Sequence, residues 1–271
     1  MRGWNKKAME TNLEQAKTSQ CDTSVPAEQE KLISLALLAG SYMLKNGGET
    51  YRAEECTRRI LMAGNADEIE IFAIPTSMII TVKIGGHYHT RSASVKKRDI
   101  DIDMIDRVNT VSRSIYEGTM SVNAAFEYLS PEKRKKTSPY MLGIYSSVSS
   151  AAFTLLFGGM PRDMIFAFFA AIVTNVSLKF FQKTTGYTFL SALFGSIVMA
   201  SLSRVACLIV PEISLSSVIT GGIIPMVPGL AMTNAVRDTI NGDLVSGSSK
   251  AIEALLQAVA IAVGVSIVLA I

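Results

Sequence analysis

A cluster of polar side chains that follows an apolar segment offers the clearest chemistry in this sequence. Asn234, Arg237 and Asp238 lie three and four residues apart, so a helix would place them on one face. A guanidinium group binds a carboxylate through two parallel hydrogen bonds, and a carboxylate binds an ammonium group. The cluster could therefore hold a small polar ligand. The alternative is that Arg237 and Asp238 are ordinary charges of a cytoplasmic loop.

Residues that break helices stand directly before this cluster: Gly221, Gly222, Pro225, Pro228 and Gly229. The two prolines remove backbone N–H groups, and in a membrane such a break survives only when it is buried in protein or lines a polar cavity. Broken helices of this kind carry substrate sites in secondary transporters. We therefore expect the substrate to bind at this break.

Asn175 is a second polar residue in an apolar surrounding. An amide in the middle of a membrane span either lines a path for substrate or only bridges two helices. The sequence leaves both interpretations open.

The apolar segments that carry these residues predict a membrane domain over residues 137–271. The chain has 26 Lys/Arg and 23 Asp/Glu, but its last 135 residues hold only 6 and 5 of them. A bilayer crossing needs ~20 apolar residues, and hydropathy gives five such spans, near 139–158, 163–182, 187–210, 213–232 and 250–271. We expect an α-helical polytopic protein of the inner or plasma membrane.

The basic residues predict its orientation. The run at 133–136 precedes the first span, and Arg237 and Lys250 fall on the same side of the predicted membrane. Because Lys and Arg are enriched in cytoplasmic loops, we expect the N-terminus in the cytoplasm and the C-terminus outside. Residues 1–25 lack an export signal and predict a disordered or loosely helical tail.

Residues 26–136 predict a cytoplasmic α+β domain. Apolar spacing of three and four residues alternates with runs of β-branched residues, and Gly85 and Gly86 predict a two-residue hairpin turn. The expected order is two helices, three strands and two helices, at 28–45, 50–63, 69–74, 78–84, 88–94, 101–117 and 121–128.

Other kinds of site lack a complete motif. His87 and His89 share a strand face without a third ligand, so we expect no metal and no cofactor. A net charge of +3 argues against an extended nucleic-acid surface. No nucleotide-binding glycine motif is present, and no nucleophile pairs with a base, so a non-enzyme is expected. A membrane-tethered hydrolase is the weakest alternative.

Two motifs together resemble those of the threonine/serine exporter family, and the resemblance covers nearly all of residues 28–271. The first is Pro225-Met226-Val227-Pro228-Gly229-Leu230, followed by Asn234-Ala235-Val236-Arg237-Asp238 and Asn241-Gly242-Asp243. The second is Asn46-Gly47-Gly48-Glu49-Thr50 with Arg52 and Glu54. The resemblance implies functional positions in both halves of the chain: Pro225, Pro228, Gly229, Asn234, Asp238 and Gly242, and Gly48, Glu49, Thr50, Arg52 and Glu54.

The resemblance also implies an activity and a partner. Family members export small hydroxylated amino acids by secondary transport. Fused members carry a second group of about five spans, and because this chain ends at Ile271 it is expected to be the large subunit of the split form, working with a small membrane subunit. Split members are associated with dicarboxylate export, so threonine or serine is the first expected substrate and a succinate-like dicarboxylate the alternative.

Overall fold

The structure, a computed structural model, describes residues 27–96, 98–130, 138–185 and 188–271. The predicted tail and the basic run at 133–136 lie outside the described residues. The chain forms two compact units. The first combines the described residues up to 130 with Thr233–Lys250, and the second combines residues 138–232 with Ala251–Ile271. Residues 233–250 thus pack with the N-terminal residues, although they follow the predicted domain boundary at 136.

Helices and strands of the N-terminal residues follow the predicted order. They are α1 (Ala27–Lys45), α2 (Thr50–Met62), β1 (Glu68–Ile74), β2 (Ser77–Ile84), β3 (His87–Ser94), α3 (Ile102–Tyr116) and α4 (Val122–Tyr128). Each lies within a few residues of its expected position, so the predicted order of helices and strands is confirmed.

The three strands form an antiparallel sheet in the order β1-β2-β3. Ile84 pairs with His87, so Gly85 and Gly86 are the two turn residues, with φ of 59° and 84°. Positive φ at both positions is typical of the type I′ hairpin, and the predicted turn is confirmed. Alternate residues of β2 are buried in the core that they share with residues of α1, α2 and α3; they are Met78, Ile80, Val82 and Ile84.

The rest of the chain is helical. Its elements are α5 (Pro139–Leu156), α6 (Pro161–Thr185), α7 (Thr188–Ile209), α8 (Leu215–Ile223), a 3₁₀ turn (Ile224–Met226), α9 (Gly229–Ile240) and α10 (Leu244–Ala270). The boundary between the two compact units falls inside α9 and inside α10.

Three helical segments among the described residues are long and apolar enough to cross a membrane, namely Pro161–Phe181, Phe189–Ile209 and Leu244–Ala270. Leu215–Met226 and Gly229–Ile240 pass the same test as a pair bent by 56°. The apolar helix Tyr140–Leu156 is shorter. The structure therefore supports a multi-pass membrane protein with three spans, or four if the bent pair is one span, and the five-span count stays a prediction.

Candidate functional site

The turn between α1 and α2 is fixed by a Schellman motif. Gly48 N–H donates to the carbonyl of Met43 at 2.9 Å, and Gly47 N–H donates to that of Leu44 at 3.4 Å. Gly47 has a φ of +84°, the left-handed conformation that this motif requires and that glycine adopts without strain. The sequence Asn46-Gly47-Gly48 thus ends one helix and sets the position at which α2 begins, at Thr50.

Asp238 of α9 caps the N-terminus of α2. Its Oδ1 accepts a hydrogen bond from the backbone N–H of Thr50, and its Oδ2 accepts one from the Thr50 hydroxyl, both at 3.1 Å. The first N–H groups of a helix have no partner within the helix, and the partial positive charge there favours a carboxylate. A helix is usually capped by a side chain close to its first residue in sequence. Here Asp238, 188 residues after Thr50, caps α2 instead.

Lys250 of α10 neutralises Asp238. Its Nζ donates to Asp238 Oδ2 at 2.6 Å and to the carbonyl of Gly48 at 3.1 Å. Asp238 is fully buried, and Lys250 is 8% exposed. Burying a charge is costly unless it is paired and hydrogen-bonded, and both conditions hold for this pair.

The two other residues of the predicted cluster contact the same turn. Asn234 Nδ2 donates to the carbonyl of Gly47 at 2.8 Å, and the Arg237 guanidinium forms an ion pair with the Glu49 carboxylate. The side chain of Glu49 is 8% exposed, whereas that of Arg237 is 60% exposed. The structure thus brings the two motifs together, and we refer to Gly48, Thr50, Asp238 and Lys250 as the Asp238 cluster.

Burial, together with hydrogen bonds and charges around the turn, shifts the pKa values of three carboxyl groups. Burial raises the pKa of Glu49, but hydrogen bonds from Arg237 and Tyr51 and the charges of Arg237 and Arg52 outweigh it, so the pKa is lowered. The pKa of Glu54 is raised, first by burial and then by the charge of Asp243. Burial also raises the pKa of Asp243, and the Asp238 charge adds to that shift.

The remaining motif residues lie at the ends of helices. Arg52 and Glu54 are on the first turns of α2, where the Glu54 carboxylate accepts a hydrogen bond from the N–H of Ala73 at 3.2 Å. Gly242 has a φ of +93° in the turn between α9 and α10. Among the described residues no group of three or more His, Cys, Asp or Glu could hold a metal ion.

The predicted break lies between α8 and α9. Pro225 is in the 3₁₀ turn, Pro228 directly precedes α9, and Gly229 is the first residue of α9. Gln257 Nε2 of α10 donates to the carbonyl of Met226 at 2.8 Å and thereby satisfies a backbone group at the break. Gln257 was not among the residues predicted from the sequence. The only pattern that could have indicated it is the presence of an amide side chain in an apolar span.

Gly221 and Gly222 do not belong to the break, contrary to expectation. Both lie inside α8 and are buried. A Cβ atom at Gly221 would lie 2.4 Å from the backbone nitrogen of Thr154 in α5, and one at Gly222 would lie 1.8 Å from Met199 Cε in α7. These glycines therefore allow close helix packing.

Asn175 lies on α6 and bridges it to α5. Its Nδ2 donates to the carbonyl of Gly143 and to Ser147 Oγ, both at 3.4 Å. Of the two interpretations of Asn175, helix bridging thus has contacts in the structure. A role in a substrate path stays a prediction.

The sequence did not predict that Lys250 contacts Asp238. It lies 12 residues after Asp238, beyond a turn, and no helical spacing links the two. A lysine at the start of a predicted span indicated only a membrane flank. The one available signal was the presence of an acid and a base close to an apolar segment.

Comparisons with known proteins identify similar proteins and a matching family. The family model for threonine/serine exporters, ThrE, matches residues 34–271. A protein of Klebsiella aerogenes named "Probable succinate transporter subunit YjjP" is 22% identical over 247 residues, which are 88% of this chain and 93% of that protein. A protein of Corynebacterium glutamicum named "Threonine/serine exporter" is 26% identical over 180 residues, which are 64% of this chain and 37% of that protein.

No solved structure matches the chain. The family model spans both motifs of the 47–50 turn and α9, together with every candidate membrane span. This agrees with the resemblance found in the sequence, and the family is one of transporters. The chain belongs to the threonine/serine exporter family.

Proposed function

We propose that this chain is one subunit of a secondary transporter that exports small polar metabolites, with threonine and serine as its first substrates. One observation carries the proposal: the two family motifs, far apart in sequence, meet where Asn234, Arg237 and Asp238 contact the 47–50 turn. Family membership supports transport, and the candidate spans support a site in a multi-pass membrane protein.

The substrate would bind at the break and the polar face that follows it. Arg237 is suited to the carboxylate because its side chain is largely exposed and guanidinium N–H groups remain beyond its contact with Glu49. Asp238 is suited to an ammonium group, since Lys250 already places one there. Pro225, Pro228 and Gly229 would keep the helix open near the site, and Asn175 is the further candidate for the path.

A second candidate function is export of a dicarboxylate. The observation that favours it is the relative named a succinate transporter subunit, whose match covers 88% of this chain. Arg237 would then be the important recognition residue, because a dicarboxylate has no ammonium group for Asp238.

The partner would be a small membrane subunit of the same family. The Klebsiella relative is named a subunit, and this chain matches 93% of it. We place the N-terminal α+β domain in the cytoplasm, as a docking or gating element for that partner, and the C-terminus outside.

Efflux assays test both the subunit and the substrate proposals. Cells that lack their own exporters would be loaded with threonine, serine or succinate and would express this chain, the small subunit or both. We expect efflux only from cells with both proteins. Full export by this chain alone in proteoliposomes would refute the two-subunit proposal, and efflux restricted to succinate would favour the second candidate.

A further inference from the structure

We propose that Lys250 and Thr50 occupy, in this state, a site that a zwitterionic hydroxy amino acid takes over during export. The inference rests on the proposed function and specifies its binding site. Oδ2 of Asp238 accepts from the Lys250 ammonium group at 2.6 Å and from the Thr50 hydroxyl at 3.1 Å. An ammonium and a hydroxyl are the donors that threonine and serine carry beside their carboxylate.

Charge balance determines which substrates can enter. The buried pair of Asp238 and Lys250 has no net charge, and breaking such a pair without replacement is strongly unfavourable. When a zwitterion binds, its ammonium replaces that of Lys250 on Asp238, and its carboxylate pairs with the released Lys250. One ion pair becomes two, no proton moves, and the net charge of the site stays zero.

A dicarboxylate fails this exchange. It brings two negative charges and no ammonium, so displacement of Lys250 would leave Asp238 unpaired in a buried position. The exchange therefore selects for a zwitterion over succinate, whatever Arg237 contributes.

The surroundings keep Asp238 in place while its cation changes. The backbone N–H of Thr50 holds Oδ1 at the N-terminus of α2, and this bond does not depend on Lys250. The carbonyl of Gly48, the last residue of the Schellman motif, is a second acceptor for any ammonium at this position. Lysine can leave and return because its charge sits on a flexible four-carbon stem.

The exchange can be tested with two analogues of threonine, each of which lacks one of its two charged groups. The measurement is the equilibrium dissociation constant of each ligand for the protein in nanodiscs. L-Threoninol keeps the ammonium and hydroxyl groups of threonine but lacks its carboxylate, and 3-hydroxybutyrate lacks the ammonium. Wild type should bind L-threonine and neither analogue. Lys250→Met should gain L-threoninol binding, Asp238→Asn should gain 3-hydroxybutyrate binding, and each should bind threonine roughly tenfold or more weakly.

The variant Asp238→Asn/Lys250→Met keeps the test decisive if either single variant fails to fold. It buries no charge, so we expect it to fold and to bind threonine at least about tenfold more weakly than wild type. The matched control is the exposed strand pair of Lys83 and Glu68, 3.0 Å apart, where Lys83→Met and Glu68→Gln should leave binding unchanged.

Three results would overturn the exchange: no threonine binding by wild type, wild-type binding by the double variant, or folded single variants that gain neither analogue. The pair would then be a permanent structural contact. The efflux assay separates this failure from that of the proposed function, because threonine efflux by wild type with its partner would leave the exporter proposal intact. Absence of efflux of every substrate would refute the exporter proposal itself.

Discussion

Adding one methyl group at each of three glycines near the break tests how the broken helix is held. A Cβ at Gly221 would lie 2.4 Å from the backbone nitrogen and 2.6 Å from the Cα of Thr154. A Cβ at Gly222 would lie 1.8 Å from the Cε atom of Met199, the end of a flexible side chain. Among the described residues, a Cβ at Gly229 would meet no atom within 4 Å apart from its chain neighbours and the backbone of its own helix.

These distances rank the cost of substitution by alanine. Overpacking typically costs about 1–3 kcal/mol. Gly221→Ala should reach about 3 kcal/mol because α5 must move as a helix, whereas Gly222→Ala should cost about 1 kcal/mol because methionine adopts another rotamer easily. Gly229→Ala should cost nothing, since alanine is the better helix former.

The measurement is the thermal unfolding midpoint of each purified variant in the same detergent, with efflux measured beside it. Gly229→Ala is the matched control. Equal midpoints for all three variants, or a Gly221→Ala protein as stable as Gly229→Ala, would refute the packing argument. Lost efflux with an unchanged midpoint in Gly229→Ala would show that this glycine serves the proposed transport rather than stability.

Three further predictions concern the break, the turn and the energy source. Gln257→Leu should reduce the free energy of unfolding by roughly 1–3 kcal/mol and lower the unfolding midpoint, because the Met226 carbonyl loses its donor. Gln257→Glu should behave similarly, since an ionised carboxylate cannot donate a hydrogen bond. Midpoints equal to that of wild type would contradict this prediction. The lowered pKa of Glu49 means that its ionised form stabilises the fold at neutral pH and that this contribution disappears as the pH falls from the ordinary value of 4.5 through the folded pKa. Glu49→Gln should therefore lose less stability than wild type between pH 5 and pH 3, and parallel midpoint curves would contradict the assignment. Efflux should stop when the membrane gradient is dissipated at constant cellular ATP, since the sequence has no nucleotide-binding motif; continued uphill efflux would refute secondary transport.

Local patterns explain why much of the fold was predictable. The Gly85-Gly86 hairpin and the helix ending at Asn46-Gly47-Gly48 depend on residues adjacent in sequence, so turn chemistry alone locates them. The helical break was predictable for the same reason, because each proline acts on its own backbone. The packing role of Gly221 was not predictable from the sequence, because it depends on the close approach of Thr154 on another helix.

The contacts of the Asp238 cluster could not be predicted from local sequence patterns. The contact between Thr50 and Asp238 joins residues 188 positions apart, and nothing in either segment encodes the other. The family resemblance marked both segments as functional without a reason to join them. Their connection is physical: the unpaired N–H at the start of α2 needs an acceptor, and a carboxylate is the acceptor that the helix dipole favours.

The two ion pairs at the 47–50 turn differ in how freely they can change partners. The pair of Arg237 and Glu49 is exposed on the arginine side, where water screens the attraction, so the guanidinium can contact a further carboxylate without leaving Glu49. The pair of Asp238 and Lys250 is buried, and breaking such a pair costs about 3–5 kcal/mol, so either partner can be released only against an equal charge. A zwitterion supplies an ammonium group for Asp238 and a carboxylate for the released Lys250, so both charges of the buried pair stay paired. A diacid has no ammonium group for Asp238, which is why the geometry of this turn favours an amino acid over a diacid.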